Sequence, residues 1–168
     1  MRIAVTGTPG TGKTTAIERL ETEFDVVHLN DLIESERLYV ERDRERDSLV
    51  ADVDAIRELF AGREDLLVES HLAHYLDADR VIVLRCRPEE IERRLRERGE
   101  SEASAAENAE SEALDVILSE AVERHGRERV YEVETTDRSP DDVADEIEAV
   151  IAGEREPSAG TVSYVDYL

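Results

Sequence analysis

The sequence predicts an α/β fold, a five-stranded parallel sheet flanked by helices, and three observations support it. Short apolar runs alternate with segments of helical periodicity along the chain. The first run leads through a glycine-rich turn directly into a helix. Residues 80–86 (RVIVLRC) have the nearly continuous apolar character of a strand that is buried on both faces. The 168 residues contain no repeat or domain boundary, so one domain with one core is expected.

The first strand is predicted at residues 2–6, and the segment GTPGTGKT that follows matches the pattern G-x-x-x-x-G-K-[ST]. Its glycines let successive backbone N–H groups turn toward phosphate oxygens, and the dipole of the next helix adds partial positive charge. Lys13 is expected to reach the β- and γ-phosphates of ATP, and the Thr14 hydroxyl to coordinate Mg²⁺. The predicted phosphate-binding residues are Gly7, Gly10, Thr11, Gly12, Lys13, Thr14 and Thr15.

Lys13 is the only lysine of the chain, because every other basic residue is an arginine or a histidine. A slim ammonium group can enter among phosphates, whereas the wide planar fork of arginine is not equivalent there. The survival of lysine at this one position therefore supports the phosphate-binding interpretation. A glycine-rich turn that binds no ligand is the alternative.

The composition is strongly acidic, with 43 Asp and Glu against 21 Lys and Arg and a formal net charge of −22. The acidic residues are spread along the chain, which argues against an acidic tail for basic partners. Apolar residues make up 40% of the chain and recur periodically, which favours a folded domain over disorder. Such a surface suits molar salt, where the Debye length is about 3 Å, so a halophilic origin is our hypothesis.

The sequence also limits the cellular compartments in which the protein is expected. No apolar run is long enough to span a membrane, and no signal peptide is recognisable. Cys86 is the single cysteine, so no internal disulfide is expected, which is typical of a reducing compartment. We therefore predict a cytoplasmic protein that binds neither membranes nor specific DNA sequences.

A second strand is predicted at residues 25–29, and Asn30 or Asp31 is expected to cap the helix that follows. Residues 34–48 (ESERLYVERDRERDS) are dense in both charges, which is most typical of a solvated helix face. Alternatively, they belong to an acceptor-binding flap at about residues 30–53, in which Arg37 or Arg42 meets a monophosphate.

Another helix is predicted at residues 54–60, and its inward-facing residues are expected to be Ile56, Leu59 and Phe60. The third strand follows and ends in Glu69. An acid at the carboxyl end of a parallel strand lies beside the phosphate site, where it can hold Mg²⁺ through water. A strand-end cap without a catalytic task is the alternative for Glu69. His71 and His74 lack a third ligand, so no zinc site is predicted.

The fourth strand, residues 80–86, is followed by a helix that starts at Pro88 and ends at Gly99. Residues 100–112 are polar and lead into a helix with an apolar face formed by Leu114, Ile117, Leu118, Ala121 and Val122. The last strand is predicted at residues 129–135, and Ser139-Pro140 opens the last helix. Residues 154–168 form a tail that either packs on the domain or stays loose.

Residues 1–153 resemble the nucleoside monophosphate kinases, in particular the small isoenzyme-six-type adenylate kinases, the nuclear and archaeal group also described as ribosome-assembly ATPases. The matching segments are GTPGTGKTT, Glu69-Ser70-His71, VLRCRPEEIERRLRERG before a short lid at about residues 98–108, and ENAESE after it. The resemblance implies a P-loop kinase domain in which Arg98 and Asn108 are lid residues that contact ATP. The catalytic residues that it implies are Lys13, Glu69, His71, Arg94 and Arg98.

The resemblance implies two activities, and in both ATP and Mg²⁺ are the cofactors. One is transfer of a phosphoryl group from ATP to AMP, which yields two ADP. The other is ATP hydrolysis linked to maturation of the small ribosomal subunit, with a small-subunit ribosomal protein and the pre-ribosome as partners. Two alternatives stay open: a kinase for another small acceptor, such as a different nucleoside monophosphate, and a nucleotide-switched assembly factor with little turnover.

Overall fold

The computed structural model describes residues 1–44 and 48–168. The strands are β1 (Arg2–Thr6), β2 (Asp25–His28), β3 (Tyr39–Asp43), β4 (Ser48–Ala51), β5 (Leu66–Glu69), β6 (Arg80–Arg85) and β7 (Val130–Glu134). The α-helices are α1 (Lys13–Ile17), α2 (Leu29–Ser35), α3 (Val53–Phe60), α4 (Pro88–Glu97), α5 (Glu102–Ala113), α6 (Val116–His125) and α7 (Pro140–Ile151). None of the described helices is long and apolar enough to cross a membrane.

Five strands form one parallel sheet in the order β2-β5-β1-β6-β7, which confirms the predicted fold class. β1 pairs with β5 on one side and with β6 on the other, so the strand before the glycine-rich turn is central. The carboxyl ends of these three strands meet at one edge of the sheet, where Thr6, Glu69 and Arg85 lie.

Helices cover both faces of the sheet, because a strand places alternate side chains on opposite faces. Ile3 and Val5 of β1 pack in one hydrophobic cluster with residues of α1 and α7. Ala4 belongs to the opposite cluster, to which α2, α3 and α6 contribute. The core therefore consists of two layers, one on each side of a buried central strand.

Two predicted details of the first helices are wrong. α2 follows β2 without an intervening residue, so its N-cap position is His28 and neither Asn30 nor Asp31 caps it. Asn30 Oδ1 instead accepts a hydrogen bond from Ser70 Oγ at 2.7 Å. In α3, Leu59 is 41% exposed, because the buried stripe of this short helix runs through Ile56 and Phe60, one turn apart.

The charged run at residues 34–48 does not form the predicted helix face. β3 and β4 pair in an antiparallel hairpin, and Tyr39 and Leu49 pack against the core. The helix prediction failed because most residues of this run are charged, so its few apolar side chains form no recognisable period. The hairpin conformation depends on the packing of two of them against the core. The predicted flap at residues 30–53 includes this hairpin and also residues 45–47, which lie outside the described residues.

The polar segment after Gly99 forms α5, a helix that its polarity did not predict. The Ser101 side chain caps it by accepting the Ser104 N–H at 3.1 Å. Ala105, Ala109 and Ala113 are fully buried, because alanine favours helix and lets α5 approach α4 closely. Leu114, predicted to face inward, is 53% exposed because it lies at the junction between α5 and α6.

The C-terminal tail packs on the domain. Ser158 N donates to Val130 O at 3.0 Å, and Glu132 N donates to Ser158 Oγ at 2.9 Å. These bonds cover the outer side of β7, the last strand in the sheet order. The ring of Tyr164 lies over the Arg85 guanidinium, with 5.5 Å between the Cζ atom and the ring centroid.

The stability of this fold is expected to depend on salt. A formal charge of −22 on 19.0 kDa produces repulsion that is weakly screened at 0.1 M salt, where the Debye length is about 10 Å. We expect the thermal unfolding midpoint to rise between 0.1 M and molar KCl. Melts followed by circular dichroism measure it, with sucrose at equal osmolality as the uncharged control. An unchanged midpoint in KCl would remove the argument for adaptation to salt.

Candidate functional site

The glycine-rich turn, residues 7–12, joins β1 to α1 at the carboxyl edge of the sheet. A Cβ atom on Gly7 would lie 2.7 Å from Leu84 O, so only glycine fits there. Gly12 has a φ of 91°, in the left-handed region that favours glycine. Thr11 N and Thr11 Oγ1 both donate to Thr8 O, at 3.2 and 2.8 Å, which closes the turn on itself.

The Lys13 side chain lies inside this turn. Its Nζ donates to Gly7 O at 2.8 Å and to Thr8 O at 3.1 Å. Burial lowers the pKa of Lys13 to about 8, although the charges of Glu69 and Glu112 oppose the shift. An ammonium group that is buried among neutral oxygens is poorly compensated, which makes a phosphate oxygen a favourable partner for it.

Glu69, the last residue of β5, contacts the first turn of α1. Thr14 Oγ1 donates to Glu69 Oε1 at 2.9 Å, and His28 Nδ1 lies 3.2 Å from the same oxygen. The sheet explains the arrangement, because Val5 and His28 are the register partners of Glu69 on the two strands that flank it. The structure thus joins the two residues predicted to hold Mg²⁺ and adds His28, which the sequence did not indicate.

The Thr14 hydroxyl and the Glu69 carboxylate suit Mg²⁺, which prefers hard oxygen ligands. Glu69 is only 6% exposed, whereas Thr14 is exposed toward the cleft described below. Within residues 1–44 and 48–168 no group of three or more His, Cys, Asp and Glu could hold a metal ion alone. An ion here would complete its coordination with water and phosphate oxygens, so direct binding by Thr14 and binding through water by Glu69 remain predictions.

The turn forms the floor of a cleft of about 960 Å³. Its lining continues past Lys13, Thr14 and Glu69 toward Asn30 and His71 on one side. On the other side it is closed by α5 and by Arg98 at the end of α4. Of the described residues that line this cleft, Lys13 and Arg98 are the cations.

The structure places the predicted lid residues around the cleft in different ways. Arg98 lines the cleft, and its charge is one of the factors that lower the pKa of Lys13. Asn108 also lines it, and its amide donates to Ser104 O at 3.0 Å along α5. Arg94 instead donates from Nη1 to Gly10 O at 3.1 Å, and from Nε to Glu90 at 3.1 Å.

Arg94 lines a second cavity, of about 260 Å³, on the outer side of the turn. Gly12 and Thr15 form its floor beside α1, and Thr135 and Arg138, which follow β7, form another wall. Thr135 Oγ1 donates to Thr11 O at 2.9 Å, which fixes this wall to the turn. The cavity therefore adjoins the position where phosphates would bind.

The two histidines after β5 have different surroundings. His71 lines the large cleft, and burial, helped by the charge of Lys13, lowers its pKa to about 4. Its imidazole is therefore neutral at pH 7 and can accept a hydrogen bond, while its low pKa makes it a weak base. His74 is buried beneath the sheet edge, and its ring nitrogens lie 2.8 Å from Thr6 Oγ1 and 2.8 Å from Glu120 Oε2. His74 is therefore part of the packed interior, whereas His71 faces the cleft.

Arg37 and Arg42, predicted to meet the acceptor phosphate, are not among the described residues that line the cleft. Arg37 is exposed just after α2 with a φ of 54°, and Arg42 is exposed on β3 of the hairpin. Their role stays a prediction that would require the hairpin and the residues between it and α2 to approach the cleft when an acceptor binds.

Sequence reasoning missed a buried group of charges next to the turn. Arg85 is 0% exposed and donates from Nε to Glu112 Oε1 at 3.2 Å and from Nη1 to Glu132 Oε2 at 2.8 Å. Glu112 Oε1 also accepts from Thr8 Oγ1 at 3.2 Å. The sequence signal that could have revealed this group is Arg85 at the end of an apolar strand. A buried charge requires partners of opposite sign, so acidic residues were to be expected around it.

Comparison with known proteins places these features in context. The family model described as "AAA domain" matches residues 3–115. A protein of Natronomonas pharaonis named "Putative adenylate kinase" is 64% identical over 168 residues, with all of both chains covered. A protein of the same name from Halobacterium salinarum is 64% identical over 169 residues, again with both chains fully covered.

A solved structure shows the same fold at low sequence identity. The deoxyadenosine kinase from M. mycoides with bound dATP superposes with a TM-score of 0.60 at 14% identity. The superposition covers 90% of this chain and 100% of that one. The overall fold of this chain is therefore also found in that deoxyadenosine kinase.

Proposed function

This chain belongs to the AAA-domain family, and from that membership and its cleft we propose that it is an adenylate kinase that transfers a phosphoryl group from ATP to AMP. The proposal is supported by relatives named as adenylate kinases that match over the full chain. The observation that carries it is the shape of the 960 Å³ cleft, which continues from the turn past Glu69 to Asn30 and His71. The part of the cleft beyond the turn is therefore the proposed place of a second, acceptor molecule.

ATP is proposed to bind with its phosphates on the turn and its base in the second cavity. The backbone N–H groups of the turn and the N-terminus of α1 favour anions at this place. Arg94 is held beside the cavity by its bond to Gly10 O, and its planar guanidinium can stack on a base. The phosphates would then point from Gly12 toward Lys13, into the large cleft.

The acceptor is proposed to occupy the part of the cleft that Asn30 and His71 line. Asn30 Oδ1 is engaged by Ser70 Oγ, which leaves the amide N–H groups of Asn30 available as donors. AMP phosphate would lie near Lys13 and Arg98, the cations of the described lining. AMP is favoured as acceptor by the names of the relatives, and the lining itself is compatible with other small acceptors.

Catalysis at this site would consist of positioning and charge stabilisation. Lys13 and the N–H groups of the turn would hold the β- and γ-phosphates, and Arg98 would approach the transferred group from the lid side. Thr14 and Glu69 would hold Mg²⁺, which would supply neutralisation of the triphosphate charge. Movement of α5 and Arg98 toward the turn would exclude water and so favour AMP over water as acceptor.

The second activity implied by the resemblance, ATP hydrolysis during maturation of the small ribosomal subunit, stays part of the proposal. Its support in the structure is limited to the neutral imidazole of His71 in the cleft, which can accept a hydrogen bond from an attacking water and so orient it. Co-purification of the tagged protein with pre-ribosomal particles, with and without ATP, tests the partner directly.

A turnover assay tests the kinase proposal. ADP production is measured in molar KCl with ATP and Mg²⁺ alone, and then with each nucleoside monophosphate. We expect AMP to raise ADP production by more than tenfold over ATP alone, with two ADP formed per ATP consumed. The Lys13→Met protein, purified identically, controls for contaminating kinases. Preference for a different monophosphate would identify another acceptor, and negligible turnover with all of them would favour a nucleotide-switched binding protein.

A further inference from the structure

We propose that the C-terminal tail is a positioning element of the phosphate-binding turn, because it holds Arg85, and Arg85 holds the Glu112 carboxylate that fixes Thr8. The inference rests on the proposed binding of ATP at this turn. The contacts run without a gap from the tail to the turn, and they pass mostly through buried side chains.

The first link joins the tail to Glu132 of β7. Glu132 Oε1 accepts the backbone N–H groups of Gly160 and Thr161, the latter at 2.9 Å. The Glu132 side chain is 0% exposed, and its other oxygen accepts from Arg85 Nη1 at 2.8 Å. A buried carboxylate needs hydrogen-bond donors. The backbone N–H groups of the tail supply the donors that water supplies to a carboxylate at the surface.

The second link is Arg85 itself. Its guanidinium edge donates to Glu112, Glu132 and Asp115, so one buried cation is shared by three carboxylates. Tyr164 of the tail covers the guanidinium, 5.5 Å from Cζ to the ring centroid. The tail therefore contributes a ring contact to Arg85 and backbone hydrogen-bond donors to its partner Glu132, and both favour the observed position of the guanidinium.

The third link reaches the turn. Glu112 Oε1 accepts from Arg85 Nε at 3.2 Å and from Thr8 Oγ1 at 3.2 Å, and its Oε2 accepts from Cys86 N at 2.9 Å. Thr8 O in turn accepts from Lys13 Nζ at 3.1 Å. One carboxylate on α5 thus ties the lid side of the cleft, the end of β6 and the turn together.

The consequence concerns preorganisation of the turn. If the tail contact is lost, Arg85 keeps its carboxylate partners but loses the ring that covers it, so the guanidinium, the Glu112 carboxylate and Thr8 are held less tightly. The N–H groups of the turn would then have to be ordered when ATP binds, which lowers affinity. The tail lies outside the cleft, so this effect does not require any contact between tail and nucleotide.

The test compares two tyrosines of the tail. Tyr164→Ala removes the ring over Arg85, and we expect the Kd for ATP to rise about tenfold, on the scale of a desolvated cation–π contact. Tyr167→Ala is the matched control, because the Tyr167 hydroxyl donates to Glu92 on α4 at 3.3 Å and not to the Arg85 group. It should change the Kd less than twofold. Titration calorimetry in molar KCl measures both.

A double-mutant cycle tests the path to the turn. Thr8→Val keeps the shape of the side chain and removes the hydroxyl that binds Glu112. If the tail acts through Glu112 and Thr8, the two substitutions will not be additive. The Kd of the double variant Thr8→Val/Tyr164→Ala for ATP will then be about equal to the higher of the two single-variant Kd values. Tyr164→Phe keeps the ring and should bind ATP like the unaltered protein. Should Tyr164→Ala not fold in molar KCl, Tyr164→Leu replaces it, since leucine keeps apolar cover without a π face.

Two results would overturn the inference. One is a lower melting temperature of Tyr164→Ala with an unchanged Kd for ATP, which would make the tail a purely structural cover. The other is additivity of the two substitutions in the cycle. Absence of ATP binding by the unaltered protein is a different result, because it would overturn the proposed function and this inference with it.

Discussion

Replacement of Lys13 by methionine is expected to abolish turnover while the fold stays intact. Lys13 is the cation inside the phosphate-binding turn, and a contact of this kind contributes roughly 3–4 kcal/mol to transition-state stabilisation. We therefore expect kcat/KM to fall by more than about 100-fold. The fold should persist because burial lowers the pKa of Lys13 to about 8, which means that the buried charge is unfavourable for folding.

The matched control for this variant is Arg96→Met, which also removes one positive charge. Arg96 is exposed on α4, pairs with Glu92 and is not among the described residues that line the cleft. Steady-state kinetics and thermal melts of both variants in molar KCl separate the effects. Turnover of Lys13→Met within tenfold of the unaltered protein would contradict the assignment of the turn.

Replacement of Glu69 by alanine is expected to lower the rates of both AMP phosphorylation and ATP hydrolysis by about 100-fold or more. Glu69 lies 2.9 Å from the Thr14 hydroxyl, so its loss would remove the carboxylate that orients both Thr14 and the water shell of Mg²⁺. The variant should also need more Mg²⁺ for half-maximal rate, which a magnesium titration measures. Glu154→Ala, which removes an exposed carboxylate after α7, is the control for charge.

His71→Ala is expected to separate the two activities. The neutral imidazole lines the cleft two residues beyond Glu69, where it can position an attacking water more readily than it can assist transfer to a bound acceptor. We expect hydrolysis of ATP to fall more than phosphorylation of AMP. Both rates are measured on the same preparation. Equal and small losses would show that His71 only packs, and a normal Mg²⁺ requirement would distinguish this variant from Glu69→Ala.

The phosphate end of the site could be read from the sequence, because its parts are close in sequence or lie at predictable strand ends. Lys13 and Thr14 belong to one motif, and Glu69 could be placed beside them since parallel strands end at one edge. The proposed acceptor end could not be read in this way. Asn30 was expected only as a helix cap, and its place in the cleft depends on the hydrogen bond to Ser70, 40 residues away.

The errors in the fold have a related cause. The hairpin and α5 were misjudged because charge and polarity dominate their sequences, while their conformations depend on a few small or apolar side chains. Tyr39 and Leu49 orient the hairpin against the core, and the buried alanine Ala105 packs α5 against α4. Local pattern is informative when many residues share a period, and it fails when packing is decided by one or two contacts.

The sequence by itself determined the α/β class, the first strand and the glycine-rich turn that we propose to bind phosphate, because strand and helix periods and glycine-dependent turns are local properties. Only the tertiary structure decided how that turn is held. Thr8 and Glu112 are 104 residues apart, and Arg85 and Glu132 are 47 residues apart, yet a continuous chain of hydrogen bonds joins all four. Such partners are chosen by which buried charges the folded chain brings within hydrogen-bonding distance, and no spacing within one segment encodes that choice.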